Sequence, residues 1–296
     1  MAASGTPHPD IRFETDEPVG YRMESGIAWL RLQRPRYRNA QNAQMLYALD
    51  AAFKRAVDDD DVKVIVLGAE GEHFSAGHDI GTPGRDIALP QDRALLWYDH
   101  SNKPGAEFLY AREQEAYLGL CRRWQDIPKP TIAMVQGGCI AGGLMLAWVC
   151  DFIIAAEDAY FQDPVVLMGI PGVEYFAHAY EMNARQAKEF LMLGERMSAA
   201  RAYEVGMVNQ IAPRDGIEQQ ARDMALKLAK RDRLALALTK KAINHVEDLK
   251  GKRAAMDAVF HMHHFAHAQS MIVHDHATGG MTVAEMAKSN KDRGNE

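Results

Sequence analysis

The sequence has few cysteines, no excess of basic residues and no long apolar run. Its three cysteines are an odd number without metal-ligand spacing, and Cys139 and Cys150 lie in apolar surroundings, which predicts packed, reduced thiols. No segment approaches the ~18 to 20 consecutive apolar residues of a membrane span. A net charge of −6 provides no basic stripe for nucleic acid. These absences argue against a disulfide scaffold, a helical membrane protein and a nucleic-acid binder, and a cytoplasmic location is expected.

The length and the first residues bound the organisation of the chain. At 296 residues, it can hold one large domain, or one domain and an appendage. Residues 1–10 lack the basic and apolar regions of a signal peptide. We therefore expect residues 1–16 to be a flexible tail.

Two glycine-bearing loops are the most informative feature that the sequence does contain. They read Phe74-Ser75-Ala76-Gly77-His78-Asp79 and Gly137-Gly138-Cys139-Ile140-Ala141-Gly142-Gly143. Each follows an apolar run typical of a strand and precedes residues that can start a helix. Backbone N–H groups that converge from two such loops can stabilise the negative charge of an enolate or a tetrahedral adduct.

The pattern of apolar residues predicts an α/β fold with parallel strands joined by crossovers. Residues 19–23 and 27–32 are typical of a hairpin, and residues 43–57 of an amphipathic helix. Further strands are predicted at residues 62–67, 131–135, 152–156 and 160–161. Helical spacing then dominates beyond His178, at residues 184–193, 199–205, 216–230, 233–246 and 254–272.

These elements suggest a core domain over residues 17–210 and a helical region over residues 211–296. Residues 81–120 interrupt the core with prolines and with the aromatic residues Trp97, Tyr98, Phe108 and Tyr110. A long irregular stretch of this kind is often a lid or a binding segment, and the alternative is a surface excursion.

Five motifs in this order resemble the crotonase superfamily, the enoyl-CoA hydratase/isomerase family. The first is Arg34-Pro35-Arg36-Tyr37-Arg38-Asn39-Ala40, and the second is the first glycine loop. The third runs from Lys129-Pro130-Thr131 through Gly143, and the fourth is Cys150-Asp151-Phe152-Ile153-Ile154-Ala155. The fifth is Ala187-Lys188-Glu189-Phe190-Leu191-Met192-Leu193-Gly194, followed by Gly206-Met207-Val208-Asn209.

The resemblance implies the ClpP/crotonase-like fold, in which stacked ββα turns form two roughly perpendicular sheets. It also implies C-terminal helices that build a homotrimer or a dimer of trimers. Members of the family act on coenzyme A thioesters without a permanently bound cofactor. Carried over by position, the oxyanion-hole amides here are those of His78 and Gly142.

The resemblance further implies where the coenzyme A moiety binds. Arg36 and Arg38 fall in the segment that runs past the adenine and phosphates in relatives, although a solvated arginine cluster is the alternative. The other positions that the resemblance places along the cofactor are Ala40, Ala76, His78 and Asp79. Lys288 or Lys291 is a weaker candidate to reach the cofactor of a neighbouring subunit.

The chain departs from the family at the two glutamates that hydratases place around the attacking water. At the corresponding positions, this sequence has Met145 and Val165. Hydration needs one group to deprotonate water and another to protonate the α-carbon, and neither side chain can do so. The two-glutamate mechanism is therefore not expected here.

Other residues are candidates for the missing acid or base. Some relatives carry a carboxylate just after the turn that here reads Gly169-Ile170-Pro171-Gly172, where Val173 aligns and Glu174 follows. Glu174 is therefore a candidate, and the alternative is a carboxylate that complements a helix start. Asp163, one residue before a proline, is a second candidate, and a turn or N-cap role is its alternative.

The side chain of His78 is the third candidate, because an imidazole exchanges protons near neutral pH, and packing on Asp79 is its alternative. Tyr175 can donate a hydrogen bond, or it is simply an aromatic residue of the loop. Asp151 aligns with a buried aspartate of many relatives and is interpreted as structural.

Histidines are concentrated near the C-terminus, and His263 and His267 are one helical turn apart. No carboxylate motif or cysteine accompanies them in the sequence, and the family uses no metal. We therefore expect no metal site and interpret these residues as a solvated or subunit-contact face. The group comprises His261, His263, His264, His267, His274 and His276.

Two functions remain open at this point. The first is an acyl-CoA enzyme that stabilises a thioester enolate with a non-standard acid–base residue, as an isomerase, a hydrolase or an atypical hydratase. The second is a non-catalytic acyl-CoA-binding or assembly subunit. The intact glycine loops favour the enzyme.

Overall fold

Nine strands and ten α-helices lie within the part of the chain that the structure describes. This structure is a computed structural model, and it describes residues 18–80 and 103–282 together with Leu95 and Glu285. The strands are β1 Val19–Glu24, β2 Ile27–Leu32, β3 Val64–Ala69, β4 Thr131–Val135, β5 Gly138–Ile140, β6 Phe152–Ala156, β7 Tyr160–Gln162, β8 Met197–Ser198 and β9 Gln210–Ala212. The helices are α1 Ala43–Asp58, α2 Gly105–Glu113, α3 Leu120–Gln125, α4 Gly142–Trp148, α5 His178–Glu181, α6 Ala184–Leu193, α7 Ala199–Glu204, α8 Ile217–Ala229, α9 Arg233–Leu249 and α10 Lys252–His274.

Six of the strands form the main sheet, in the order β1-β2-β3-β4-β6-β9. The hairpin pair β1 and β2 is antiparallel, and every later neighbour is parallel. Strands β2, β3 and β4 are buried along their whole length, as expected for parallel strands covered on both faces. The predictions of the hairpin and of parallel strands are confirmed.

Each face of the main sheet packs against a different helix. Alternate residues of the strands, such as Leu30 and Leu67, join Phe53 of α1 in one core cluster. Their neighbours on the other face join a smaller cluster that contains Ile217 and Ala221 of α8. The first helix of the predicted C-terminal region therefore covers the core sheet.

A second, three-stranded sheet has the order β5-β7-β8. Strand β5 belongs to the second glycine loop, and β7 runs parallel to it. Sequence reasoning missed β5, β8 and β9, because segments of two or three residues are too short for a periodic signal. Two sheets are nevertheless the number that the family resemblance implies.

The expectation of an irregular stretch over residues 81–120 is wrong in its second half. Helix α2, a π-helix over Gln114–Gly119 and α3 make residues 105–125 helical. One of the prolines that suggested irregularity, Pro104, lies at the N-cap of α2 with an extended backbone, so it precedes the helix and does not break it. Apart from Leu95, residues 81–102 lie outside the described residues, as do Trp97, Tyr98 and the predicted tail.

Helices α9 and α10 follow α8 and confirm the helices predicted for the C-terminal region. Helix α10 buries one stripe at helical spacing, Met256, Phe260, His263 and His267, whereas α9 has no buried residue. The division of the chain near residue 210 stays a prediction. No helix in the described ranges combines the length and the apolar character needed to cross a membrane.

Candidate active site

The two glycine loops lie side by side at one end of the main sheet. The amide of Ser75 donates to the carbonyl of Gly138 at 3.1 Å, and the amide of Ile140 donates to the carbonyl of Ser75 at 2.9 Å. A Cβ on Gly77 would lie 3.1 Å from the amide nitrogen of Gly142, and Gly77 has a φ of +91°. Only glycine fits this position, because the conformation and the close approach both exclude a side chain.

The backbone amides of His78 and Gly142, beside this contact, are available to bind a ligand. Among the described residues, neither His78 nor Gly142 donates a backbone hydrogen bond. Ala141 is the residue of the second glycine loop that directly precedes α4. It adopts φ 48° and ψ −117°, a conformation that is rare for a residue with a side chain. Strained backbone of this kind is concentrated at functional sites.

The segment that precedes α1 holds the first glycine loop in place. The side-chain amide of the buried Asn39 donates to the carbonyls of Glu70 and His73 at 2.8 and 2.9 Å. Gln41 pairs with the loop, because its amide donates to Gly77 and its carbonyl accepts from Asp79. The Arg-Pro-x-x-x-Asn-Ala motif therefore has a local physical role, which is to anchor the loop that carries His78.

The imidazole of His78 lies directly beside Gly142. A Cβ on Gly142 would be 2.8 Å from Nδ1 and 2.6 Å from Cε1 of this ring. The ring also stacks on Tyr117, with centroids 3.7 Å apart and an interplanar angle of 11°. Nδ1 is buried and has no hydrogen-bond partner among the described residues. Packing on Asp79, the alternative considered for this side chain, does not describe its position.

Glu174 binds the opposite nitrogen of the same ring. Its Oε2 lies 2.9 Å from Nε2 of His78, and the residue is 4% exposed. Burial works against ionisation of Glu174, yet the contacts with His78 and His263 outweigh burial and lower its pKa. A carboxylate can only accept, so Nε2 of His78 carries the hydrogen, and in the neutral ring Nδ1 has the lone pair.

Behind Glu174 lies a buried cluster of histidines with a further carboxylate. Nε2 of His263 is 3.7 Å from Oε1 of Glu174 and 3.4 Å from Oε2 of Glu113. Burial opposes a charge on His263, but Glu113 and Glu174 outweigh it and raise its pKa to about 9. The interpretation of these histidines as a solvated or subunit-contact face is therefore wrong for His263 and His267, which are buried within the chain, where Glu113 reaches them from α2.

The remaining candidates, Asp163 and Tyr175, are buried and make no contact with His78 that resembles that of Glu174. Both Asp163 and His178 are fully buried, and Oδ2 of Asp163 is 2.8 Å from Nε2 of His178. The same carboxylate accepts from the amides of Val165 and Val173, so it holds the turn that leads to Glu174. Tyr175 is also fully buried, and its hydroxyl has no partner among the described residues.

The positions predicted to bind coenzyme A lie on or near the anchoring segment. Arg36 and Arg38 are exposed, at the 3-10 helix Pro35–Tyr37 and at its C-cap. The amide of Ala76 donates to the carbonyl of Arg38 at 2.9 Å, and Ala40 follows in the same segment. Asp79 instead forms an ion pair with Arg34 at 2.9 Å. Lys288 and Lys291 lie outside the described residues.

The two positions compared with the hydratase glutamates lie in α4 and in a 3-10 helix. Met145 is 1% exposed within α4, and Val165 starts the 3-10 helix Val165–Met168. Asp151 accepts from Thr131 and pairs with Lys240 at 2.9 Å, as a structural residue would.

Sequence reasoning missed two residues of this site, Glu113 and Tyr117. They lie four positions apart, at the end of α2 and within the π-helix, an element that is frequent at functional sites. Helical spacing between them was the available signal, but the surrounding prolines had suggested an irregular segment.

The fold and the loops together define a protein of the crotonase fold. The sequence profile described as "Enoyl-CoA hydratase/isomerase" matches residues 22–288 of this chain. The chain therefore belongs to the enoyl-CoA hydratase/isomerase family, as the resemblance in the sequence predicted.

Individual relatives agree with this assignment. A putative enoyl-CoA hydratase of Mycobacterium tuberculosis, EchA13, is 38% identical, and the match covers 87% of this chain and 80% of the relative. The crystal structure of a probable enoyl-CoA hydratase from Mycobacterium smegmatis superposes with a TM-score of 0.80 at 41% identity, covering 88% and 98% of the two chains. One from Mycobacterium thermoresistibile superposes with a TM-score of 0.78 at 44% identity, covering 86% and 99%.

Proposed function

We propose that this chain is an acyl-CoA enzyme that stabilises a thioester enolate between the backbone amides of His78 and Gly142. Both amides lie at the contact of the two glycine loops, and neither donates to another described residue. Donors placed in advance where negative charge develops lower the barrier, and the loss of one donor typically costs about 3 kcal/mol.

The imidazole of His78 is the acid–base group, and Glu174 positions it. The observation that carries this proposal is the placement of Nδ1, with its lone pair, beside Gly142, while Glu174 accepts from Nε2 at 2.9 Å. The carboxylate fixes the tautomer and stabilises the imidazolium that forms when Nδ1 takes a proton, as in other carboxylate–histidine pairs. Asp163 is assigned a structural role, because its carboxylate is occupied by His178 and by two backbone amides.

This arrangement suits a shift of a carbon–carbon double bond. Nδ1 removes a proton from the α-carbon of a 3-enoyl thioester, and the electron pair moves onto the thioester oxygen between the two amides. The imidazolium then returns the proton to the γ-carbon, and the double bond becomes conjugated with the thioester. One acid–base group is sufficient for this reaction, whereas hydration also requires a group that activates water.

Coenzyme A recognition rests on the exposed Arg36 and Arg38. Both residues lie on the segment that anchors the His78 loop, and cationic side chains there suit the polyanionic pyrophosphate of the cofactor.

A homotrimer or a dimer of trimers is proposed as the assembly. Helix α9 has no buried residue, yet Leu234, Leu238 and Leu249 are apolar and 64%, 55% and 74% exposed. Exposed apolar side chains at helical spacing are typical of a surface that a partner covers.

Deuterium exchange tests the proposed function without a prior choice of substrate. The protein is incubated in D₂O with saturated, 2-enoyl and 3-enoyl thioesters of coenzyme A, and mass spectrometry measures incorporation at the α-carbon. We expect exchange, together with conversion of the 3-enoyl thioester, and we expect His78→Gln to abolish both. Thioesters that bind but neither exchange nor react would favour the alternative, a non-catalytic acyl-CoA-binding subunit.

A further inference from the structure

The buried cluster behind Glu174 joins α2 to α10 through three side chains. Glu113, His263 and His267 are 6%, 4% and 8% exposed. One nitrogen or oxygen atom of each lies within 4.8 Å of the others. The mechanism proposed above uses none of these three groups.

Backbone carbonyls settle which nitrogen of each ring carries the hydrogen. Nδ1 of His263 is 2.8 Å from the carbonyl oxygen of Gly172, and Nδ1 of His267 is 2.6 Å from that of Ala277. A carbonyl oxygen only accepts, so both Nδ1 atoms must donate. Each neutral ring then has its lone pair on Nε2.

These two lone pairs face each other. The Nε2 atoms of His263 and His267 are 2.9 Å apart, and Oε2 of Glu113 lies 3.4 and 3.9 Å from them. That oxygen is buried and has no hydrogen-bond partner of normal geometry among the described residues. These three atoms thus converge on one point, and a positive charge shared between them makes the arrangement favourable. That charge is either the proton that the raised pKa of His263 favours or a bound metal ion.

We propose that Glu113, His263 and His267 form a binding site for a zinc ion. Ligands about 2.0–2.1 Å from a tetrahedral zinc ion are about 3.3 Å from one another, which is close to the observed separations. Two imidazoles and one carboxylate are a donor set that zinc takes, with a fourth position left for water.

The surroundings of the three atoms fit this assignment. The contacts from Nδ1 to backbone carbonyls are the kind that orient metal-bound histidines and fix their tautomer. Nε2 of His264 is 3.2 Å from Oε2 of Glu113, and Glu174 adds a second negative charge 3.7 Å from His263. A bound zinc ion would tie α10 to α2 and support the turn at Gly172, two residues before Glu174.

Zinc binding is tested on the full-length protein after treatment with a chelator. Zinc is titrated by calorimetry, metal content is measured after dialysis, and cobalt is added as a spectroscopic substitute. We expect one zinc ion per chain, a visible cobalt band, and a rise in Tm of about 4 °C at a zinc concentration one hundred times Kd. None of these readouts uses an acyl-CoA. A failure to bind zinc would therefore reject the zinc site without bearing on the proposed function.

Variants locate the site. His267→Gln and Glu113→Gln should each lower zinc affinity at least ~10-fold and shift or abolish the cobalt band. His245→Gln, an exposed histidine of α9, is the matched control and should retain one zinc ion. Circular dichroism identifies any variant that does not fold. In that case, the wild-type titration and the other ligand variant show whether the site binds zinc. The proposal is overturned if the wild-type protein binds no zinc, or if the folded ligand variants bind zinc as the control does.

Discussion

Nε2 of His78 lies 2.9 Å from Oε2 of Glu174, although the two residues are 96 positions apart in the sequence. This contact leaves Nδ1 of the same ring facing Gly142, where the proposed oxyanion hole begins. The proposed acid–base group and its partner therefore lie on separate loops. Four predictions follow from this geometry and from the groups around it.

Glu174→Gln should reduce turnover about 10²- to 10⁴-fold without loss of thioester binding. A glutamine can present its N–H₂ group to Nε2, which would move the ring hydrogen to Nδ1 and remove the base. Steady-state kinetics and calorimetry with an unreactive acyl-CoA measure the two effects. Glu189→Gln, on the exposed side of α6, is the control and should behave as the wild-type protein. Unchanged turnover in Glu174→Gln would rule out this role.

Gly142→Ala should abolish turnover by displacing the imidazole of His78, the proposed acid–base group. The added methyl group would lie 2.6 Å from Cε1 of His78, which is closer than such atoms approach. We expect turnover to fall about 100-fold or more, since catalysis is sensitive to displacements of about 1 Å. Gly216→Ala is the matched control, because the nearest atom to its Cβ would be 3.6 Å away. Equal turnover in the two variants would contradict the proposed placement of His78.

Asp163→Ala should act mainly on stability. The buried Asp163 and His178 pair would be broken, and the amide of Val173 would lose its acceptor. Removal of one member of a buried pair typically lowers the free energy of unfolding by about 3 kcal/mol or more. Urea unfolding measures this loss. Asp158→Ala, which breaks the exposed pair with Arg214, should cost no more than about 1 kcal/mol.

Stability should fall as pH rises from about 4.5 to 7 because of Glu181. Burial raises its pKa from 4.5 to about 7, although Lys252 partly offsets this shift. In this pH range, the folded state binds more protons than the unfolded state, so the free energy of unfolding falls with rising pH. The contribution is on the order of 1–3 kcal/mol, and Glu181→Gln should remove it. Urea unfolding at several pH values would show the same slope in both proteins if this explanation were wrong.

Most of the fold could be predicted from the sequence. The hairpin, α1, β4 and α6 each carry their own pattern of apolar residues, and the structure has them at or within a few residues of the predicted bounds. Helix α2 was missed because its start is marked by a proline, and β5 because it is only three residues long. A proline before a helix and a strand of three residues can each be mistaken for a loop when the element that packs against them is not known.

The sequence by itself determined the family, the two glycine loops and the candidates His78, Gly142 and Glu174. These conclusions depend on residue types and spacings within short segments, where local conformational preferences act. Only the tertiary structure decided that Glu174 binds His78, that Asp163 binds His178, and that Glu113 reaches His263. Such pairings depend on how strands cross over and how α2 and α10 pack, and no local pattern encodes the distance between side chains on different elements.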